Sequence, residues 1–180
     1  MRKLTYKYVD GYEEDFIEQS RPFELYTWLS GRKWVGSKAP FEIHPSTGGK
    51  DVKTALMKHH GGAAEIWSVW KYEHGMIALH LQPFTTPLVD FRWDWSHVGY
   101  LVLPWKAVLE MHGRKRISKK FQADELAGVA KRRFDVIKMW EDWINGRICD
   151  VYDGDDCIEG LITLTQVETH YPEATWKEAQ

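Results

Sequence analysis

The chain has 180 residues, with 24 Lys and Arg against 26 Asp and Glu and a formal net charge of -2 while its eight histidines are neutral. Hydrophobic residues make up 43% and charged residues 28%, a balance that supports a buried core and excludes disorder and collagen-like repeats. No apolar run approaches the ~20 residues of a membrane span, and the start, Met1-Arg2-Lys3-Leu4-Thr5-Tyr6-Lys7, lacks the apolar stretch of a signal peptide, so a cytoplasmic protein is expected.

In chain order, the alternation Phe23, Leu25, Thr27, Leu29 suits a half-buried strand that Ser30-Gly31-Arg32 ends. Pro40 to Gly49 is turn and loop chemistry. The apolar positions 52, 55 and 56 then recur at helical spacing over Asp51 to Lys58, and Gly61-Gly62 stops that helix. Glu65 to Tyr72 and Met76 to Leu81 flank Glu73-His74-Gly75 and predict a hairpin. His97 to Leu103 is a nearly continuous apolar run, the mark of a central strand covered on both faces. Pro104 opens a short helix through Met111 that Gly113 can end.

From Ser118 to about Asn145, Leu126, Val129, Ala130, Arg133, Val136, Ile137, Trp140, Trp143 and Ile144 follow steps of three and four, a helical stripe with one cationic interruption at Arg133. Ser118 suits the N-cap and Asn145-Gly146 the left-handed stop. Arg147 to Tyr152 and Cys157 to Thr165 read as a second hairpin around Asp153-Gly154-Asp155-Asp156, before a polar tail. The expected fold is α+β: one antiparallel sheet of about five or six strands, the 118–145 helix on a face, and short helices at the margin. A single domain over residues 1–167 and a polar C-terminal tail over 168–180 are expected.

Ten tryptophans exceed what packing one domain demands, and Trp28, Trp34 and Trp176 are the candidates for exposure. Arg114-Lys115-Arg116-Ile117-Ser118-Lys119-Lys120 puts five cations in seven residues at a helix start, with Lys131-Arg132-Arg133 further along. Cations there oppose the helix dipole, so a structural role alone would favour acids. Arg114, Lys115, Arg116, Ser118, Lys119, Lys120 and Arg132 are therefore the candidate anion or partner site, although charge runs are usually solvated faces and a net charge of -2 argues against a bulk electrostatic DNA binder.

His74, His80, Asp94 and His97 have the residue types of a metal site or general base, but their spacing matches no defined motif. Asp150, Asp153, Asp155, Asp156 and Glu159 lack the order of a calcium loop and read as hairpin-turn residues. His44-Pro45-Ser46-Thr47-Gly48-Gly49-Lys50 lacks the first Gly and the final Ser or Thr of a phosphate loop. Cys149 and Cys157 fit neither a disulfide framework nor a C-x-x-C clip and are expected as free thiols.

Val69-Trp70-Lys71-Tyr72-Glu73-His74-Gly75, Trp93-Asp94-Trp95-Ser96-His97-Val98-Gly99-Tyr100, Lys115-Arg116-Ile117-Ser118-Lys119-Lys120 and Asn145-Gly146-Arg147-Ile148-Cys149 follow one another in that order. In this respect the segment from Trp67 to Asp150 is similar to small uncharacterised proteins of bacterial phages and mobile elements, which carry W-D-S-G-Q-V-G-F and K-R-I-S-K-K segments. Here Glu73 stands for Asp, no Ser precedes Gly75, and Trp95-Ser96-His97 replaces S-G-Q. The resemblance implies a viral or mobile-element source, hence the cytoplasm of a bacterial host, and no assigned chemistry. With no catalytic motif, no cofactor is expected. The expected function is a non-enzymatic interaction protein, for example an inhibitor of a host defence factor, with a host protein as partner. The alternatives are a metal-assisted hydrolase built on the His/Asp group and a nucleic-acid or nucleotide-binding module.

Overall fold

A computed structural model of the protein describes residues 3–9, 13–29, 33–37, 49–73, 75–82, 95–172 and 175–178. The elements are β1 (Lys3–Tyr8), α1 (Glu13–Gln19), β2 (Glu24–Leu29), β3 (Lys33–Gly36), α2 (Gly49–His59), β4 (Ala64–Glu73) and β5 (Ile77–Leu81). They continue with β6 (Trp95–Pro104), α3 (Trp105–Met111), α4 (Lys119–Ile144), β7 (Ile148–Asp153), β8 (Asp156–Thr163), α5 (Leu164–His170) and β9 (Thr175–Glu178). The class is α+β. The strands divide between two sheets where the sequence predicts one, and the chain forms two compact units.

The larger unit, Glu13–Ile137, holds an antiparallel sheet in the order β3-β2-β6-β4-β5. Its middle strand is β6, whose residues from Val98 to Pro104 are all buried, as an apolar run covered on both faces requires. On one face Tyr26, Tyr100, Val102 and Ala64 pack with Val52 and Leu56 of α2. Where β6 passes β2, Gly99 has φ 153, and a Cβ there would sit 2.0 Å from the Tyr26 carbonyl oxygen. The β4–β6 register shifts between Val69 and Trp70, beside Gly99, so the glycine marks a bulge where two backbones close together.

The smaller unit comprises Met1–Tyr12 and Lys138–Gln180, with a sheet in the order β8-β7-β1-β9. β1 pairs antiparallel with β7 and parallel with β9. Leu4, Cys149, Val151, Ile162 and Val167 form its buried cluster. The last turns of α4 contribute Trp140, which is fully buried, and two buried acids, Glu141 and Asp142. Arg147 offsets the cost of their burial: its guanidinium lies 2.5 Å from Asp142 Oδ1 and 3.4 Å from Glu141 Oε1. The helix stops as predicted at Gly146, with φ 68, where Gly146 N–H donates to the Trp143 carbonyl and Arg147 N–H to that of Asp142.

β8 ends two residues short of its predicted limit because Thr163 caps α5. Its Oγ1 accepts from Gln166 N–H at 3.2 Å, while Gln166 Oε1 accepts from Thr163 N–H at 2.8 Å. The expected polar tail, 168–180, carries the end of α5 and β9, and the latter is held by backbone pairing to β1. Among the described residues no helix is long and apolar enough to cross a membrane.

Candidate functional site

The basic segment is a strap between two helices, fixed at both ends. At its start, α3 closes on Gly113, with φ 60, where Gly113 N–H donates to the Glu110 carbonyl and Arg114 N–H to that of Leu109. At its end Ser118 Oγ accepts from Phe121 N–H at 3.1 Å, the predicted cap of α4. Between these fixings the buried Phe121 ring acts as an anvil. The Arg114 guanidinium carbon lies 4.5 Å from its centroid, and the His112 ring meets it edge-on at 5.4 Å while Nε2 stays 3.3 Å from Glu125.

Every residue from Met111 to Lys120 is exposed. Among the described residues, none of Arg114, Lys115, Arg116, Lys119 and Lys120 forms an ion pair, although nearby Lys106 pairs with Glu110 at 3.9 Å. The two lysines also begin a helix whose first turn holds no acid. Positive charge is thus concentrated where the helix dipole opposes it, on backbone that is already ordered. Such a surface attracts anions without a folding cost on binding.

Arg132, the remaining predicted anion-site residue, is exposed and donates from its guanidinium to the carbonyl oxygen of Arg21. That contact leads to an open pocket of about 480 Å³ in the same unit, with apolar lining from Ile17, Pro22, Phe23, Ala107 and Met111. Its charged lining residues are Arg21, Glu24 and Glu110. Met111 belongs to both the pocket wall and the exposed segment that carries the strap.

Of the predicted metal group, His74 and Asp94 lie outside the described residues. His80 and His97 share one sheet face but on opposite sides of β4, both in register with Trp70. Two inter-strand steps, about 10 Å, separate their backbones. The His97 ring is 5.5 Å from Trp70, 5.6 Å from Trp28 and 4.9 Å from Tyr100, while His80 lies 4.8 Å from Trp95. Burial lowers the His97 pKa below the ordinary imidazole value, partly offset by a backbone hydrogen bond at Gly99. Among the described residues no three His, Cys, Asp or Glu side chains come together as a metal site.

Trp28 is half-buried beside His97, and the side chains of Trp34 and Trp176 lie outside the description. Asp153 and Asp156 face each other across the β7–β8 turn with Gly154 at φ 64, which is their predicted turn role. The thiol of Cys149 is buried, that of Cys157 exposed, and both are free.

A polar group not singled out in the sequence lies on β2. Tyr26 Oη donates to Glu24 Oε2, and His60 Nε2 sits 3.7 Å from the same oxygen with its side chain 8% exposed. Burial lowers the His60 pKa and the neighbouring His59 lowers it further, against the opposing pull of Glu24. Glu24 and Tyr26 are two apart on a strand and so share a face, a signal the alternation holds; the arrival of His60 from the end of α2 has no local signature.

No protein-family model, curated protein or solved structure matches this chain.

Proposed function

We propose that the chain is a non-enzymatic interaction protein that meets an anionic partner through the strap of Arg114, Lys115, Arg116, Ser118, Lys119 and Lys120. The observation that carries this reading is the set of five exposed cations, without an ion pair among the described residues, on a loop fixed by a helix stop and a helix cap. The resemblance of the Trp67–Asp150 segment to phage and mobile-element proteins supports a bacterial host factor as the partner, with inhibition of a host defence factor as the specific form. The hydrolase alternative finds less support, since Trp70 stands in register between His80 and His97.

The test is capture from bacterial lysate with the wild type and with all five cations changed to Gln, each with and without nuclease. Exposed charges contribute little to folding, so the variant should keep its melting midpoint. It should lose the partner that the wild type retains through nuclease treatment. A variant that folds and still captures that partner would refute the strap as the docking element, and loss of every wild-type partner to nuclease would move the reading to nucleic acid.

A further inference from the structure

The strap and the pocket meet at Met111, and their chemistries differ. The charged side chains of the strap are all cations. The pocket combines apolar walls with Glu24 and Glu110 against the single positive charge of Arg21. All three charges are engaged: Arg21 lies 3.1 Å from Glu18, Glu110 lies 3.9 Å from Lys106, and Glu24 accepts from Tyr26 Oη. A phosphate chain would find attraction along the strap but carries no apolar side chain for the pocket, whereas a polypeptide can present carboxylates to one and an uncharged side chain to the other.

Apolar exposure follows the same pattern. Met111 is 58% exposed and Ile117 36% exposed, so large apolar side chains bracket Arg114, Lys115 and Arg116 on a surface that water otherwise covers. The pocket volume of about 480 Å³ is enough for an aromatic side chain. Fixing at Gly113 and Ser118 means that docking orders little of this surface, which favours recognition of a flexible segment that must itself be ordered.

We propose that the strap and the adjoining pocket together bind an acidic polypeptide segment, with its carboxylates on Arg114, Lys115, Arg116, Lys119 and Lys120 and one apolar side chain in the pocket beside Met111. This deepens the function proposed above and rests on it. The partner class is an acidic protein segment with at least one aromatic or long aliphatic residue. Nucleic acid is the competing occupant that the test must separate.

The experiment measures fluorescence anisotropy of the full chain against three labelled probes: a random Glu/Tyr copolymer, polyglutamate of equal charge, and a DNA duplex. The copolymer should bind tightest, and the five-fold Gln variant should bind none of the three. Met111→Ser, at an exposed site, should weaken the copolymer about fivefold, the loss expected from one apolar contact, and leave polyglutamate unchanged. Ala107→Phe, which narrows the pocket, should have the same selective effect where a melting curve shows it folded.

Equal affinity for copolymer and polyglutamate, or a Met111→Ser variant that loses neither, would overturn the pocket's part while leaving the basic strap intact. Tightest binding to DNA, with the steep salt dependence of phosphate contacts, would overturn the polypeptide partner. Failure of every probe to bind would overturn both this inference and the anionic docking element on which it rests.

Discussion

The guanidinium carbon of Arg133 lies 5.3 Å from the centroid of the Trp67 ring and 4.9 Å from that of Phe134. The cation that interrupts the apolar stripe of α4 thereby faces the sheet and rests on aromatic surface. Its Nε is buried and has no hydrogen-bond partner among the described residues, so desolvation opposes part of the cation–π gain.

Two substitutions separate those contributions. Arg133→Ala should lower stability by about 1–2 kcal/mol through lost packing and lost attraction to the rings. Arg133→Met keeps the aliphatic reach without the buried nitrogen and should lose less. Urea denaturation would measure both, and an Arg133→Ala midpoint equal to the wild type would show that the ring contact contributes nothing.

Gly99 gives a sharper expectation. With φ 153 and a Cβ placed 2.0 Å from the Tyr26 carbonyl oxygen, Gly99→Ala must push β6 away from β2 in the middle of the larger sheet. Strained backbone and a backbone clash together should cost about 3 kcal/mol or more. Gly128→Ala, where nothing lies within 4 Å on a helix, is the control and should be neutral or slightly stabilising. Similar melting midpoints for the two variants would mean that the strands can separate without penalty.

The elements visible in the sequence are those whose signal is local. β4 and β5 are joined by a short turn, β6 is a continuous apolar run, and α4 has both its cap at Ser118 and its stop at Gly146 in the expected places. β1 and β9 were hidden because each is short and mixes Lys, Thr and Glu with its apolar positions, and their pairing joins the two ends of the chain. The division into two sheets follows from that distant pairing, which no window of residues contains. The seven residues of α1 and four of β3 are too few for periodicity to register.

The candidate site shows the same distinction. The cations of the strap are adjacent in sequence and therefore legible, and the sign of the helix dipole made them conspicuous. The pocket takes Ile17 from α1, Phe23 from the turn before β2 and Met111 from α3, so only the folded chain brings them together. His80 falls on the predicted hairpin and His97 on the predicted strand after it, and register sets Trp70 between them.

The buried histidines predict how stability responds to acid. Burial lowers the pKa of both His60 and His97 from the ordinary value of 6.5, so below that value the unfolded chain takes up protons that the folded chain refuses. Their contribution to stability is complete above 6.5 and is lost as pH falls through the folded-state pKa. Each adds at most about 1.4 kcal/mol per pH unit over that window. The groups facing them set the contrast between the two: Glu24 and His59 act on His60, while the rings of Trp28, Trp70 and Tyr100 lie against His97. The melting midpoint should therefore fall as pH is lowered below about 6.5. His97→Gln, which keeps a polar group of similar reach but cannot titrate, should flatten that fall while lowering the midpoint at pH 8, where the native imidazole is already neutral. A His97→Gln profile parallel to the wild type between pH 7 and 5 would show that this imidazole accepts its proton in the folded chain as readily as in the unfolded one.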